Sequence, residues 1–333
     1  MRRLALNLFT SATTLALLAA LTVPALRVLD PRTPARAATR YVIPARTFGV
    51  YVDPWHLDDW AKRIGARPQL VAKFEAFASK RPIGSFLAEN ERQGIRQVMV
   101  SWEPWETVPA ALGTTLQQLP QPGYRNSEIA AGSQDAYIRA FARSLAVFHG
   151  TVWLRYAHEM NGFWYPWSHG PISYRRAWRH VVTLVRAEAP NVRFVWSANL
   201  NLYQSFAGWK RLTRTYWPGG RWVDAVGSTM INFGGRKQYA VSRFASRLRD
   251  LRRTYRRPVF LTETNTEYRG RVAWLRNLRR MLRRMPWIRA LAWSQLPSRG
   301  AAQMRRAGRL DWDVQRDPAS AAVLRGIIRD GLR

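Results

Sequence analysis

Two glutamates stand at the ends of short apolar runs: Glu159 after residues 152–157 and Glu263 after residues 259–262. An ionised carboxylate in such a place costs several kcal/mol unless it is paired or put to use. Two carboxyls that face each other can divide labour. One, held protonated, donates to a leaving oxygen; the other, ionised, attacks the carbon which that oxygen leaves. Hydrolysis of a glycosidic bond with retention asks for such a pair about 5 Å apart. The acid then needs a raised pKa and the nucleophile a lowered one. Trp153, Tyr156, Phe163, Trp164 and Trp167 surround Glu159 in sequence and can desolvate it, while Arg155, Thr262 and Thr264 offer charge or hydrogen bonds. The competing reading makes both glutamates buried salt-bridge partners of the many arginines, and spacing alone leaves it open.

Such a pair needs a frame that brings strand ends together. Apolar runs suited to buried parallel strands fall at 47–52, 70–74, 97–102, 152–157, 193–198, 223–230, 259–262 and 290–294. Helical spacing appears between most of them, at 84–93, 134–148, 174–187, 242–254 and 271–285. Strands alternating with helices in this number predict an α/β fold, a (β/α)8 TIM barrel, over residues 39–333. Barrels of this kind carry their chemistry at the C-terminal ends of the strands. The polar residues there are Asp53, Glu103, Glu106, His158, Glu159, Asn199, Asn201, Asn232, Glu263 and Gln295.

Composition narrows the chemistry further. The chain of 333 residues is 47% apolar and 12% aromatic, enough for one large core. It has no cysteine, which excludes disulfides, thiolate metal sites and cysteine nucleophiles. Its five histidines lack zinc-motif spacing, so neither a metal nor another cofactor is expected. Fifty-three Lys and Arg against 21 Asp and Glu leave a formal charge of +32. Arginines crowd the helical stretches 243–257 and 269–284, with Leu248, Leu251, Leu275, Leu278 and Met281 at helical spacing between them. A solvated arginine surface accounts for this; an acidic cell-envelope polymer or lipid headgroups are the alternative partners. No nucleic-acid-binding signature accompanies the charge, so nucleic acid is not expected.

Met1-Arg2-Arg3, followed by the uncharged stretch 4–26, has the form of an export signal, with Ala35-Arg36-Ala37 as a cleavage site, or of a retained membrane anchor. The expectation is a targeting segment over 1–38 and a domain that is secreted or held outside the cytoplasm. The oligomeric state is not legible.

The run Trp153-Leu-Arg-Tyr-Ala-His-Glu-Met-Asn-Gly-Phe-Trp-Tyr-Pro-Trp167 resembles the strand-four signature of glycoside hydrolase family 26, in which the glutamate of His-Glu-Met-Asn-Gly is the acid/base. Related barrel families usually show Asn-Glu there. Other blocks agree in order: Gly49-Val-Tyr-Val52, Ser101-Trp-Glu-Pro-Trp105, Trp196-Ser-Ala-Asn199, Tyr216-Trp-Pro-Gly219, Val223-Asp-Ala-Val-Gly227, Pro258-Val-Phe-Leu-Thr-Glu263 and Trp293. The resemblance implies Glu159 as acid/base, Glu263 as nucleophile and His158 as the neighbour that orients the site or substrate. It also implies that Trp293 stacks under the sugar at the cleavage position and that Trp164 flanks the leaving-group side. Glu103, Trp105, Asn199 and Asn232 are the further candidates for substrate binding, since apolar sugar faces pack on indoles while Asn, Glu and His bind hydroxyls.

One position departs from the family pattern. Where the family often has Asp-Gly-Tyr-Asn after strand six, this chain has Thr229-Met-Ile-Asn232, so Ile231 replaces a tyrosine that would donate to the nucleophile. Tyr203, Tyr268 and Thr229 are the hydroxyls that could stand in. The expected activity is endo-cleavage of a β-linked polysaccharide, β-mannan or β-1,3/1,4-glucan in type, by double displacement. A weak or inactive barrel that binds or processes exopolysaccharide is the alternative, supported by Ile231. A basic surface protein without a glycan cleft is the third reading.

Overall fold

A computed structural model describes residues 46–105, 121–200, 202–232, 240–267, 269–295 and 313–331. The chain divides into a segment Met1–Val42 and a compact unit Ile43–Arg333. The targeting segment expected at 1–38, together with Glu106, Asn201 and Tyr268, lies outside the described residues. No helix among the described residues is long and apolar enough to cross a membrane.

Strands and helices alternate along the whole unit. β1 (Thr47–Tyr51) leads to α1 (Leu57–Ile64), β2 (Leu70–Ala76) to α2 (Gly84–Arg92), and β3 (Gln97–Glu103) to α3 (Asn126–Ala130) and α4 (Asp135–Ala146). β4 (Thr151–Tyr156) leads to α5 (Pro171–Glu188), β5 (Val192–Asn199) to α6 (Phe206–Thr215), and β6 (Ala225–Asn232) to α7 (Ser242–Tyr255). β7 (Val259–Thr266) and α8 (Arg271–Arg284) precede β8 (Ile288–Trp293) and α9 (Pro318–Gly331). All strands pair in parallel with their sequence neighbours, and β1 closes on β8. The expected (β/α)8 barrel is therefore the observed one.

Side-chain alternation divides the apolar residues into two bodies. Tyr51, Leu70, Ala72, Met99, Trp153, Val195, Ala225, Phe260, Ala290 and Ala292 fill the inside of the barrel. A larger set packs between strands and helices. Its helical members follow the 3.6-residue period, as on α8, where Trp274, Leu275, Leu278, Met281 and Leu282 are buried.

β7 is longer than the sequence pattern suggests, because it continues through polar residues to Thr266. It also carries an irregularity. Leu261 pairs with Ser228 and Glu263 with Thr229, so Thr262 is an extra residue against β6, and the register against β8 shifts in the same place. A bulge of this kind re-aims a side chain. In a regular strand consecutive residues face opposite ways; here Thr262 and Glu263 both reach inward, Thr262 to Ser197 and Glu263 to Arg155. Gly227 makes room for this, since a Cβ there would meet Thr262 Cγ2 at 2.6 Å.

Candidate active site

Toward the C-terminal ends of the strands the barrel interior turns from apolar to polar, and Arg155 is its centre. It sits on the inward face of β4, two residues beyond Trp153, with no solvent exposure. Such a cation must have every donor engaged. Nε donates to Ser197 Oγ at 3.0 Å, Nη1 to Ser101 Oγ at 3.1 Å and to Glu263 Oε2 at 3.2 Å, and Nη2 to Thr229 Oγ1 at 2.7 Å. Nη2 also lies 3.9 Å from Glu159 Oε1. One buried guanidinium thus holds both predicted catalytic carboxylates. The salt-bridge reading of the two glutamates is true in part, with the qualification that a single arginine serves both, in the barrel mouth.

Glu159 follows β4 in a turn that is costly for an ordinary residue. Ala157 and Glu159 have φ of 42° and 55°, the left-handed region that only glycine enters freely. Neighbouring elements pin the segment: Ala157 N–H donates to Trp102 O at 3.0 Å, Glu159 N–H to Ser197 O at 2.7 Å, and Trp167 Nε1 to His158 O at 2.7 Å. The Glu159 carboxylate accepts from Trp164 Nε1 at 2.8 Å. Trp164 folds back over Gly162, where a Cβ would meet the indole ring at 2.5 Å. The spacing Glu-Met-Asn-Gly-Phe-Trp thereby becomes a local clamp on one carboxylate oxygen.

His158 is fully buried beside this turn. Its Nε2 lies 3.2 Å from Tyr165 Oη and 3.9 Å from Glu103 Oε1, and its Nδ1 has no partner among the described residues. Burial, aided by Arg155, holds its pKa well below the usual histidine value. Glu103 is pushed the other way, up to about 8, by burial; Arg155 opposes this rise while Glu263, Glu159 and Glu75 add to it. Both partners are therefore neutral near pH 7, and their proximity is not an ion pair.

Glu263 does not have the lowered pKa expected of a nucleophile. Burial pushes it up to about 7, with Arg155 pulling down against that rise and Glu159 reinforcing it. Desolvation of a carboxyl under the barrel rim outweighs a single shared cation.

Several expected binding residues have other duties. Trp293 has no exposure and belongs to the layer between barrel and helices, because on β8 it is Ala290 and Ala292 that point inward. It cannot present a face to a sugar. Trp105 is 3% exposed and stands edge-on to Tyr165 and Trp167, which are themselves stacked at 4.3 Å; it positions Tyr165 rather than offering a platform. Asn232 is on the face of β6 opposite Thr229 and donates to Thr266 Oγ1 at 3.0 Å. Asn199 shares the inward face of β5 with Ser197 and is half-buried, its backbone N–H and C=O both bonded to the Asn161 amide. Glu103 shares the inward face of β3 with Ser101, which keeps it in the site. Tyr203 is 65% exposed, so it does not replace the absent tyrosine beside Glu263; the Thr229 hydroxyl accepts from Arg155 Nη2, whose Nη1 reaches Glu263.

Tyr165, Tyr51 and Phe74 are the site residues that sequence reasoning left without a role. Tyr51 stacks on Phe74 at 4.9 Å and donates to Thr262 O at 2.9 Å, closing the floor, and Phe74 lies 5.9 Å from the His158 ring. Tyr165 lay inside the strand-four run, but only the fold brings its hydroxyl to His158. Among the described residues no group of acidic and histidine side chains could hold a metal ion.

No family model matches the sequence. A stretch of 148 residues is 32% identical to endoglucanase H of Acetivibrio thermocellus, covering 41% of this chain and 14% of that protein, so the chain spans only about a seventh of that relative. A GH26 β-mannanase from Bacteroides ovatus superposes with a TM-score of 0.62 at 16% identity, over 86% of this chain and 89% of the other. An endo-β-1,4-mannanase double mutant from Cellulomonas fimi gives 0.60 at 15% identity, over 84% and 71%. A third, the GH26 endo-β-1,4-mannanase catalytic domain from Bacillus sp. JAMB-750, gives 0.57 at 14% identity, over 86% and 85%. The resemblance carried by the strand-four run is thus matched in three dimensions: the chain has the fold of the glycoside hydrolase family 26 β-mannanases.

Proposed function

We propose that this protein is an endo-acting glycoside hydrolase of the family 26 type, cleaving a β-linked polysaccharide, β-mannan or β-1,3/1,4-glucan in kind, with retention of configuration. The observation that carries the proposal is the buried Arg155 joining Glu159 and Glu263 at the mouth of a (β/α)8 barrel. Glu159, fixed by Trp164, protonates the departing glycosidic oxygen. Glu263, with Arg155 as its counter-charge, attacks the anomeric carbon and forms a glycosyl-enzyme ester. Glu159, now ionised, takes a proton from water as the water oxygen bonds to the anomeric carbon; the ester bond to Glu263 breaks, which releases the sugar, returns Glu263 as carboxylate and restores the acid. The protonated Glu103, which keeps some exposure at the mouth, is the group that would meet a sugar hydroxyl, with the fully buried His158 behind it as the neighbour that orients the site.

Endo action has its own support. The exposed aromatics among the described residues are Trp55, Phe163 and Tyr203, at 58, 66 and 65%. They follow β1, β4 and β5, all on the catalytic face, and β1 stands across the ring from β5. Aromatic faces on both sides of the cleavage point suit a chain that runs through the site.

The deciding experiment measures reducing ends released from a panel of soluble β-glycans by the wild type and by Glu159→Ala and Glu263→Ala. Activity on a panel member, lost in both variants, is the expected result, together with azide accelerating Glu159→Ala on an activated aryl glycoside, whose leaving group needs no acid, to give a glycosyl azide of retained configuration. Binding without products in the wild type would replace this reading with the second one, a barrel that has kept its cleft and lost turnover, which Ile231 favours. Export, with or without cleavage near residue 38, belongs to the same proposal and is supported by the uncharged stretch 4–26; recovery of the protein only from the cytosolic fraction would refute it.

A further inference from the structure

The outer helices α7 and α8 carry more charge than the fold uses. α7 has five arginines and one aspartate, and α8 has six arginines and no acidic residue. Some are spent internally. Arg279 and Arg283 share Asp330 at 2.7 and 3.0 Å, and Asp250 faces Arg214 at 3.9 Å. Arg249, Arg252, Arg253 and Arg284 are exposed and have no acidic partner among the described residues.

These arginines are not scattered. They border two adjoining concavities that share Arg249. The first, of about 390 Å³, lies between α7 and α8, with Arg249, Arg280 and Arg284 at its edge and Val241, Met281 and Met285 beneath. The second, of about 360 Å³, sets Arg249, Arg252 and Arg253 beside the half-buried rings of Phe206 and Trp287. None of the catalytic-mouth residues lines either one. Like charges gathered this closely repel one another and are relieved by an anion.

We propose that this double groove is a second glycan site, outside the barrel mouth, that takes an acidic polysaccharide bearing uronate carboxylates. Guanidinium groups match carboxylates in a two-pronged geometry. The C–H faces of pyranose rings pack on the open part of indole and phenyl rings such as the half-buried Trp287 and Phe206. A linear polymer can lie along a continuous concave path and meet both features in turn. A bilayer surface, being flat, would touch the arginine rim and leave the aromatic floor unused. The site is independent of the catalytic proposal, since it would bind its polymer whether or not Glu159 and Glu263 turn over a substrate.

The test measures binding of polygalacturonate, neutral mannan and phosphatidylglycerol vesicles to the full chain, by calorimetry near physiological salt. The variants are Arg249→Ala/Arg280→Ala/Arg284→Ala, whose side chains are exposed, and separately Trp287→Ala. Polygalacturonate should bind, and the triple variant should weaken it at least about tenfold, the loss of several charge-assisted hydrogen bonds, with its circular dichroism and melting curve unchanged. Trp287→Ala should weaken it as well, and reducing-end release from neutral glycans should be the same in the triple variant as in the wild type. The proposal fails if the triple variant binds polygalacturonate like the wild type. It fails equally if a folded Trp287→Ala protein loses nothing, which would mean unspecific charge attraction, or if only the vesicles bind.

Discussion

Arg155 Nη1 donates to Glu263 Oε2 at 3.2 Å while its Nη2 stays 3.9 Å from Glu159, so one fully buried cation is divided between two carboxylates. The division is unequal, and it leaves the two glutamates with different partners. Glu263 has the direct charged hydrogen bond, which offsets part of the rise that burial imposes on its pKa; Glu159 has the indole N–H of Trp164 instead.

Replacing the arginine tests this arrangement. Arg155→Met removes the group that pulls the Glu263 pKa down, so the acidic limb of kcat/KM should move upward from about pH 7. It also leaves a buried carboxylate without its cation, a change that costs about 3–5 kcal/mol in comparable cases. An unchanged acidic limb in a folded Arg155→Met protein would show that Arg155 does not set the ionisation of Glu263.

Glu103 should weaken the fold as pH rises. Its pKa in the folded protein is about 8, against 4.5 for an unperturbed glutamate. Between those values the folded state keeps a proton that the unfolded state has lost, so unfolding becomes easier with increasing pH. Below about pH 4 both states are protonated and the effect is absent. Glu103→Gln, neutral and of the same shape, should therefore raise the melting temperature near pH 8 by an amount on the order of a few kcal/mol in stability, and leave it unchanged near pH 4. A Glu103→Gln protein that melts lower than wild type near pH 8 would mean that Glu103 is ionised and paired with a charged His158.

The barrel was legible because its strands and helices differ in period, and the strand-four run announced Glu159 because a carboxylate after an apolar strand has few structural excuses. Arg155 gave a weaker signal, a lone charge in the middle of that strand. What could not be read is how β7 aims its residues. Alternation alone sends Glu263 away from Thr262, and only the irregular pairing with β6 and β8 turns both inward. Trp293 failed for the same reason in reverse: on regular β8 the parity set by Ala290 and Ala292 faces it outward, whatever its likeness to a sugar platform.

That placement of Trp293 predicts a stability effect and not a binding one. Trp293→Ala should destabilise the fold by about 3–5 kcal/mol, as a large buried aromatic does, while the KM of the folded fraction stays as in the wild type. A raised KM with an unchanged melting temperature would return Trp293 to the cleft.

Trp164 should matter most when the leaving group is poor. Trp164→Phe keeps a ring over Gly162 but deletes the N–H that reaches Glu159 Oε2 at 2.8 Å. Misplacing the acid slows departure of a sugar alcohol, which needs protonation, more than departure of a dinitrophenolate, which does not. We expect a loss of roughly tenfold or more in kcat on oligosaccharides, the worth of one hydrogen bond to a charged group, and little change on the activated aryl glycoside. Equal losses on both would assign the indole to sugar binding alone.

Ile231 is where a gain is expected. It lies on the inward parity of β6, two residues beyond Thr229, and pairs with Asn265 on β7, close to Glu263 at the bulge. It is half-buried at the mouth. Ile231→Tyr would supply a hydroxyl donor to the Glu263 carboxylate, which now has Arg155 as its hydrogen-bond partner. Donation to a charged acceptor contributes about 1.5–3 kcal/mol. The variant should therefore draw the acidic limb down from about pH 7 and raise the rate roughly tenfold or more about two pH units below it, where the wild-type carboxyl is protonated. Both changes are needed, because a steric effect at the mouth could alter the rate but would leave the limb where it was. A folded Ile231→Tyr protein with neither change would mean that the absent tyrosine is not what limits this site.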